Sequence, residues 1–137
     1  MYLTKTFLDE LTFKINGACI EVHKQLGPGL LESIYHKCLK REFELRGIKF
    51  SCEIKVPIFY KGFEIEGELR YDFLIEDSII LELKSIEILL PVHQAQTLTY
   101  MKLLEKPKGI LVNFNVSNIM KEDQQTFVNE LFRSLPE

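Results

Sequence analysis

The feature that most constrains the fold is the run Ile79-Ile80-Leu81-Glu82-Leu83-Lys84, an apolar stretch that contains two charged residues. A short apolar run with β-branched residues, preceded by the turn signal Glu76-Asp77-Ser78, predicts a strand that is buried on both faces. Such a strand lies at the centre of a sheet and needs a covering layer on each side. The rest of the chain must therefore supply those layers.

Helical periodicity surrounds this strand. Apolar side chains at helical spacing predict an amphipathic helix over residues 5 to 25, which Gly27-Pro28-Gly29 ends. A second helix follows and ends at Arg46-Gly47, where glycine suits the C-terminal cap. Pro91 opens a third helix that runs to about Glu105. A closing helix is predicted over residues 121 to 134.

The remaining segments have strand periodicity. Residues 50 to 60 alternate apolar and polar side chains, which predicts a half-buried strand. Lys61-Gly62 turns the chain into a second strand, Phe63 to Ile75, bent near Gly67, and Gly109 to Phe114 predicts a further buried strand. The order α-α-β-β-β-α-β-α predicts an α/β (α+β-like) fold with a mixed central sheet of about four strands flanked by helices.

Composition narrows the class of protein. A length of 137 residues suits one domain, spanning residues 1–137, and 46% hydrophobic with 27% charged residues is typical of a soluble globular chain. Cys19, Cys38 and Cys52 are scattered, which indicates free thiols rather than disulfides or a zinc site. Without a signal-like segment or the ~20 apolar residues of a membrane span, we expect a cytoplasmic protein with no membrane partner. The net charge of −3 argues mildly against tight, nonspecific nucleic-acid binding.

The charges of the central strand have candidate partners on the strand before it. Glu82 and Lys84 share one face, because side chains alternate along a strand. A three-residue hairpin loop at residues 76–78 sets Asp72 opposite Glu82 and Arg70 opposite Lys84. Two carboxylates ~5 Å apart repel unless a cation lies between them, and hard oxygen ligands favour Mg²⁺ or Mn²⁺. From the pattern alone, a solvated sheet face on which these charges pair with one another is the simpler interpretation.

Two helical segments carry further polar residues. In Gly29-x-x-Glu32-x-x-Tyr35 the acid and the phenol lie on one side of the second helix, although the helix dipole is the simpler explanation for an acid in a first turn. His93, Gln96 and Tyr100 form a stripe on the third helix that suits either a phosphate backbone, a catalytic lysine or an ordinary polar surface.

Motifs for other chemistries are missing from the sequence. It has no GxSxG, HExxH, GxxxxGK[ST] or GxGxxG pattern. His23 and His36 have no neighbouring partners along the chain that would mark them as ligands or bases. We interpret both as surface or satisfied core histidines.

Together these features resemble the GxxExxY family, a branch of the PD-(D/E)xK nuclease-like superfamily. Gly29-x-x-Glu32-x-x-Tyr35 is the name-giving motif, and Asp72 with Glu82-Leu83-Lys84 matches the D…ExK pattern. Gln96 to Tyr100 looks like the QxxxY motif of the RecB-like nucleases in that superfamily. Tyr71 stands where the superfamily name has proline. The resemblance covers about residues 10 to 120 and implies a restriction-endonuclease-like core.

The resemblance also implies a metal site. Asp72, Glu82 and the carbonyl of Leu83 would bind Mg²⁺ (or Mn²⁺), which lowers the pKa of a bound water and clamps the phosphodiester. Glu32 would complete the acidic cluster from its helix.

The remaining matching residues would act on the substrate. Lys84 would orient or deprotonate the attacking water and stabilise the pentacovalent phosphate, while Gln96 and Tyr100 would position Lys84 or the scissile phosphate. The implied activity is that of a Mg²⁺-dependent nuclease on nucleic acid, with DNA favoured over RNA. The alternative is a non-catalytic nucleic-acid-binding or assembly module that retains the nuclease fold, and a homodimer or a protein partner is compatible with either.

Overall fold

A computed structural model of the chain describes residues 3–67 and 69–137. Its helices and strands follow in the order α1 (Lys5–Leu26), α2 (Glu32–Arg46), β1 (Phe50–Cys52), β2 (Ile58–Tyr60), β3 (Phe63–Ile65), β4 (Phe73–Ile75), β5 (Ile79–Lys84), α3 (Pro91–Leu103), β6 (Lys108–Asn113), α4 (Ile119–Glu122), β7 (Gln124–Val128) and α5 (Glu130–Arg133). Within the described ranges, none of the helices is both long enough and apolar enough to span a membrane.

The main sheet of the described chain has five strands in the order β1-β4-β5-β6-β7, with β5 at its centre. β5 pairs antiparallel with β4 and parallel with β6, and the connection between β5 and β6 runs through α3. The predicted mixed sheet flanked by helices is therefore confirmed. Among the described residues, β2 and β3 form a second, two-stranded sheet.

The two faces of β5 pack against different layers. Ile79, Leu81 and Leu83 belong to the larger core, together with apolar residues of α1 and α2. Ile80 belongs to the second core, with Tyr100 and Met101 of α3. Side-chain alternation therefore places Glu82 on the face that α3 covers.

The predicted helices at the start of the chain are confirmed, as are β5 and β6 within a residue or two. Gly47 ends α2 in the left-handed conformation (φ 68°), with its N–H donating to the carbonyls of Phe43 and Glu44. α3 ends at Leu103, two residues before the predicted end.

The prediction of two long continuous strands, over residues 50–60 and 63–75, is wrong. Each is divided between the main sheet and the separate β2–β3 hairpin. Glu53 has a positive φ of 55°, and its N–H donates to two carbonyls, those of Tyr71 (3.0 Å) and Asp72 (3.2 Å). A strand bends at such an irregularity. Glu68, inside the second predicted strand, lies outside the described residues.

The closing helix predicted over residues 121–134 is also wrong. The segment instead forms β7 between the one-turn helices α4 and α5, which the side chains of Asn118 and Asn129 cap. β7 pairs antiparallel with β6 along its whole length. An apolar strand such as β6 would otherwise leave its backbone groups unpaired on one side, and this pairing outweighs the local helical pattern.

Gly109 fixes how closely α3 approaches the sheet. A Cβ atom at this position would lie 2.6 Å from Sδ of Met101 and 3.0 Å from Cγ2 of Thr97. Only a residue without a side chain fits between β6 and α3 at this distance. The contact sets the height of α3, and of its polar residues, above the sheet.

Candidate active site

The candidate site lies where β4 and β5 separate. Their ladder pairs Ile75 with Ile79 and ends at the pair Phe73–Leu81, so the predicted hairpin register is confirmed. Before Phe73 the chain leaves β5 but stays paired with the segment that follows β1, because residues 69–71 hydrogen-bond with residues 53–56, for example from the N–H of Val56 to the carbonyl of Leu69 at 2.8 Å. The end of β5 is thereby left without a backbone partner from β4.

Asp72 and Glu82 meet across this gap. The backbone N–H of Asp72 donates to Oε1 of Glu82 at 3.0 Å, and the N–H of Leu83 donates to Oδ2 of Asp72 at 2.8 Å. The Asp72 carboxylate takes the N–H that a continuing β4 would have bonded. Since the N–H and C=O of one strand residue face the same neighbouring strand, the Leu83 carbonyl faces the Asp72 side as well.

Arg70 does not lie opposite Lys84 as predicted. It forms a bridge with Lys55 on the other side of the ribbon, and its guanidinium donates to the carbonyl of Glu53 at 3.2 Å. The departure of the chain from β5 before Phe73 explains the difference, because Arg70 leaves with it.

The acidic pair is removed from water. Glu82 is only 4% exposed, and Asp72 is half-buried. Burial, and next the charge of Asp72, raise the pKa of Glu82 well above its usual value, while burial raises the pKa of Asp72. Neither carboxylate takes part in the ion pairs formed by the described residues. The interpretation of these charges as part of a solvated sheet face is therefore wrong for this pair. Its environment disfavours ionisation of both acids at once.

Lys84 places a positive charge close enough to act on all three acids. It is half-buried at the end of β5, and its positive charge opposes the rise in the pKa of Glu32, Asp72 and Glu82. The N–H of Phe114 donates to the Lys84 carbonyl at 2.8 Å and holds its backbone on β6.

Glu32 reaches the same region from the first turn of α2. It is half-buried, and burial followed by the negative charge of Asp72 raises its pKa. In residues 3–67 and 69–137, however, no three His, Cys, Asp or Glu side chains are grouped closely enough to hold one metal ion. Glu32 thus lies within electrostatic reach of the pair without forming a three-carboxylate cluster with it.

Tyr35 of the same motif holds the loop in place. Its hydroxyl donates to the Gly27 carbonyl at 2.5 Å and accepts the N–H of Leu30 at 3.2 Å. Its ring is fully buried and stacks on Phe114 with centroids 4.7 Å apart. The phenol therefore fixes the turn from which α2, and with it Glu32, begins.

Gln96 and Tyr100 approach the acids from α3. The Gln96 amide donates to the Tyr100 hydroxyl at 3.2 Å. Burial raises the pKa of Tyr100, which is 2% exposed, and the charges of Glu82 and Asp72 raise it further. His93 does not extend this group, because its Nδ1 accepts the N–H of Leu90 at 2.9 Å and caps the helix to which it belongs.

His36 is a residue of this region that the sequence interpretation missed. Its ring is buried and stacks on Phe73 with centroids 4.3 Å apart. Its Nε2 lies 3.4 Å from the Asp72 carbonyl oxygen and 3.7 Å from Oε1 of Glu53. The available signal was its spacing of four residues from Glu32, which puts both on one side of α2.

Asn113 is a second missed residue. It is fully buried next to Lys84 in the parallel register of β5 and β6. Its side chain accepts the N–H of Ile86 at 3.1 Å and donates to the Ile86 carbonyl at 2.8 Å and to Oδ2 of Asp123 at 2.8 Å. These bonds fix the turn that follows Lys84. A polar residue within an apolar strand was the available signal.

Comparison with known proteins agrees with this geometry. No curated protein and no solved structure matches the chain. A family model described as the PD-(D/E)XK nuclease superfamily matches residues 9–127, a range that includes each of the candidate residues above. Because that match covers most of its length, the chain belongs to the PD-(D/E)XK nuclease superfamily.

Proposed function

We propose that the protein is a divalent-metal-dependent nuclease of the GxxExxY branch that hydrolyses phosphodiester bonds in nucleic acid, DNA in preference to RNA. The observation that carries the proposal is the buried Asp72–Glu82 pair at the splayed end of β5, with Lys84 on the same strand face. Buried acids with perturbed pKa values beside a lysine are typical of catalytic sites rather than of sheet surfaces.

The residues present fit a hard divalent cation. Asp72, Glu82 and the Leu83 carbonyl offer oxygen donors only, and Mg²⁺ commonly binds through one or two carboxylates while keeping several waters. A cation would also balance the negative charge of two acids whose pKa values are raised by burial. When bound, Mg²⁺ or Mn²⁺ lowers the pKa of water and polarises the phosphodiester.

Protein groups supply the rest of the chemistry. Lys84 would hold the attacking water or take its proton, and its positive charge would stabilise the negative charge that develops on the phosphate. Gln96 and Tyr100 would fix the side chain of Lys84 or a phosphate oxygen through their linked amide and hydroxyl. Glu32, outside direct ligand distance of a shared ion, would act through an intervening water.

The test is cleavage of labelled oligonucleotides by the purified protein. Single- and double-stranded DNA and RNA are incubated with Mg²⁺ or Mn²⁺, and with EDTA in parallel. We expect cleavage with either metal, faster on DNA, and none with EDTA. Asp72→Asn should be inactive, whereas Asp77→Asn, at an exposed acid of the same hairpin, should be as active as wild type.

A second candidate function is a non-catalytic nucleic-acid-binding or assembly module. The net charge of −3 favours it, because a nuclease that works alone commonly presents a basic surface to its substrate. Wild-type protein that binds Mn²⁺ through Asp72 yet cleaves none of the four substrates would support this module and contradict the nuclease.

A further inference from the structure

The β2–β3 hairpin presents two different faces. Its turn, Lys61-Gly62, has positive φ at both positions (49° and 84°), as in a type I′ hairpin. Its cross-strand pairs are Ile58–Ile65, Phe59–Glu64 and Tyr60–Phe63. Because side chains alternate, Ile58, Tyr60, Phe63 and Ile65 share one face, the ring face, while Phe59 and Glu64 share the other.

The ring face is open to water. Tyr60 is 63% exposed and Phe63 75%, although they are directly paired across the hairpin. Exposed large apolar side chains grouped in this way mark interaction sites. An isolated two-stranded hairpin is marginally stable by itself, so its rings contribute little to the fold where they stand.

The hairpin continues directly from the candidate active site. Residues 53–56 and 69–71 form the ribbon that joins it to the main sheet. That ribbon enters the sheet at Asp72, whose carbonyl accepts the N–H of Glu53 at 3.2 Å. One short ribbon of the chain therefore joins the hairpin to the acidic pair.

The chemistry of the ring face suits nucleobases. Two neighbouring rings offer stacking surfaces, and Lys61, whose Nζ lies 5.5 Å from the Tyr60 ring centroid, can neutralise a phosphate beside a stacked base. Glu64 points to the opposite face, which keeps its negative charge away from the rings. Aromatic side chains on an exposed sheet surface bind unpaired bases in this manner.

A second copy of the chain is a poorer fit for this face. The exposed side-chain area of Tyr60, Phe63 and Ile65 is on the order of 350 Å². A stable protein interface buries about 800 Å² on each partner.

We propose that the ring face binds unpaired bases of single-stranded nucleic acid and holds that strand beside Asp72 and Glu82. The inference rests on the proposed nuclease function, and it narrows the substrate to single strands or to locally unpaired segments. Bases inside a duplex are stacked on one another and have no free face for Tyr60 and Phe63.

The decisive measurement is the binding of labelled oligothymidine by fluorescence anisotropy, with Mg²⁺ present and Lys84→Met in every protein to prevent cleavage. The double variant Tyr60→Ala/Phe63→Ala should bind the single strand at least about tenfold more weakly. Phe59→Ala is the matched control, since Phe59 is 64% exposed on the other face of the same hairpin. It should change the affinity by less than about threefold.

A second readout reports stacking itself. The chain has no tryptophan, so Phe63→Trp introduces a single fluorophore on the ring face. Its emission should be quenched by oligothymidine and far less by a duplex of equal length. Phe59→Trp should show no such difference between the two nucleic acids.

Several results would overturn the inference. The first is that the double variant and the parent bind oligothymidine with equal affinity, and the second is that Phe59→Ala loses as much affinity as the double variant does. The third is that the parent does not bind oligothymidine at all. The fourth is that sedimentation velocity shows the parent to be a dimer and the double variant to be a monomer. Cleavage of the nucleic acid is measured separately, with protein that retains Lys84. Binding through the ring face without cleavage contradicts the nuclease, whereas cleavage without ring-face binding contradicts only the present inference.

Discussion

Replacing Asp72 with Asn tests whether the acidic pair is a metal site, and the structure sets the expected magnitude. The change removes one charge at nearly constant shape, and an Asn oxygen can still accept the N–H of Leu83 that Asp72 accepts at 2.8 Å. Two unit charges ~5 Å apart repel by about 3 kcal/mol at an effective dielectric constant of 20. In the variant, the hydrogen bond from the Leu83 N–H goes to a neutral oxygen and is weaker, which lowers the unfolding free energy by about 1 kcal/mol.

Without metal, and at a pH above the raised pKa of Glu82 where both acids are charged, the variant should therefore be more stable than wild type by up to about 2 kcal/mol. The assay is urea unfolding followed by circular dichroism, in EDTA. Asp77→Asn is the control, because the exposed Asp77 pairs with Lys106 at 3.0 Å on the surface. Loss of such a pair changes stability by ~0–1 kcal/mol.

Metal should reverse the order of stability. Mn²⁺ at a hundredfold excess over Kd stabilises wild type by about 2.7 kcal/mol, a rise in Tm of roughly 10 °C for a chain of this size. Asp72→Asn has lost a ligand and should show little of that rise, while Asp77→Asn should show all of it. Equal Mn²⁺ responses in wild type and Asp72→Asn, at matched ionic strength, would refute the metal site.

Three further outcomes are expected. Lys84→Met should lower turnover by at least about a hundredfold while keeping the Mn²⁺-induced rise in Tm, because lysine is not a ligand; a lost Tm response would contradict its assigned role. Since burial raises the pKa of Glu82, the folded metal-free protein keeps a proton that the unfolded chain releases near pH 4.5. Its stability relative to Glu82→Gln, measured by urea unfolding in EDTA, should therefore be greatest at acidic pH and fall as the pH rises through the raised pKa; a rise would contradict the burial argument. Gly109→Ala should cost about 1–3 kcal/mol of unfolding free energy by forcing α3 away from β6, and unchanged stability would contradict that contact.

The parts of the fold that local pattern determines were predictable. β5 follows from its apolar run, and the end of α2 follows from Gly47, whose φ of 68° suits glycine. The register that brings Asp72 to Glu82 follows from the three-residue loop alone, because a hairpin of known loop length has one register.

Elements that depend on distant partners were not predictable. Gln124–Val128 is a strand because it pairs with the free edge of β6. The local periodicity of the segment gives no information about that edge, which is formed by a different part of the chain. The division of the predicted 50–60 strand depends on the positive φ of Glu53, a residue whose type does not favour that conformation. His36 escaped notice for the same reason, since its neighbours Phe73 and Glu53 are remote along the chain.

The candidate site lies at the point where the strand predicted over residues 63–75 leaves β5. Had residues 69–72 continued along β5, the N–H of Leu83 would have bonded to backbone, and the Asp72 carboxylate would have had no place beside Glu82. Because residues 69–71 leave β5 while they stay paired with residues 53–56, the end of β5 is open, and the ribbon that leads to the hairpin begins at that point. A substitution that straightens the bend at Glu53 would therefore be expected to disturb the acidic pair and the ring face together. The open end of β5 and the ribbon that leads to the hairpin both begin where the chain leaves β5.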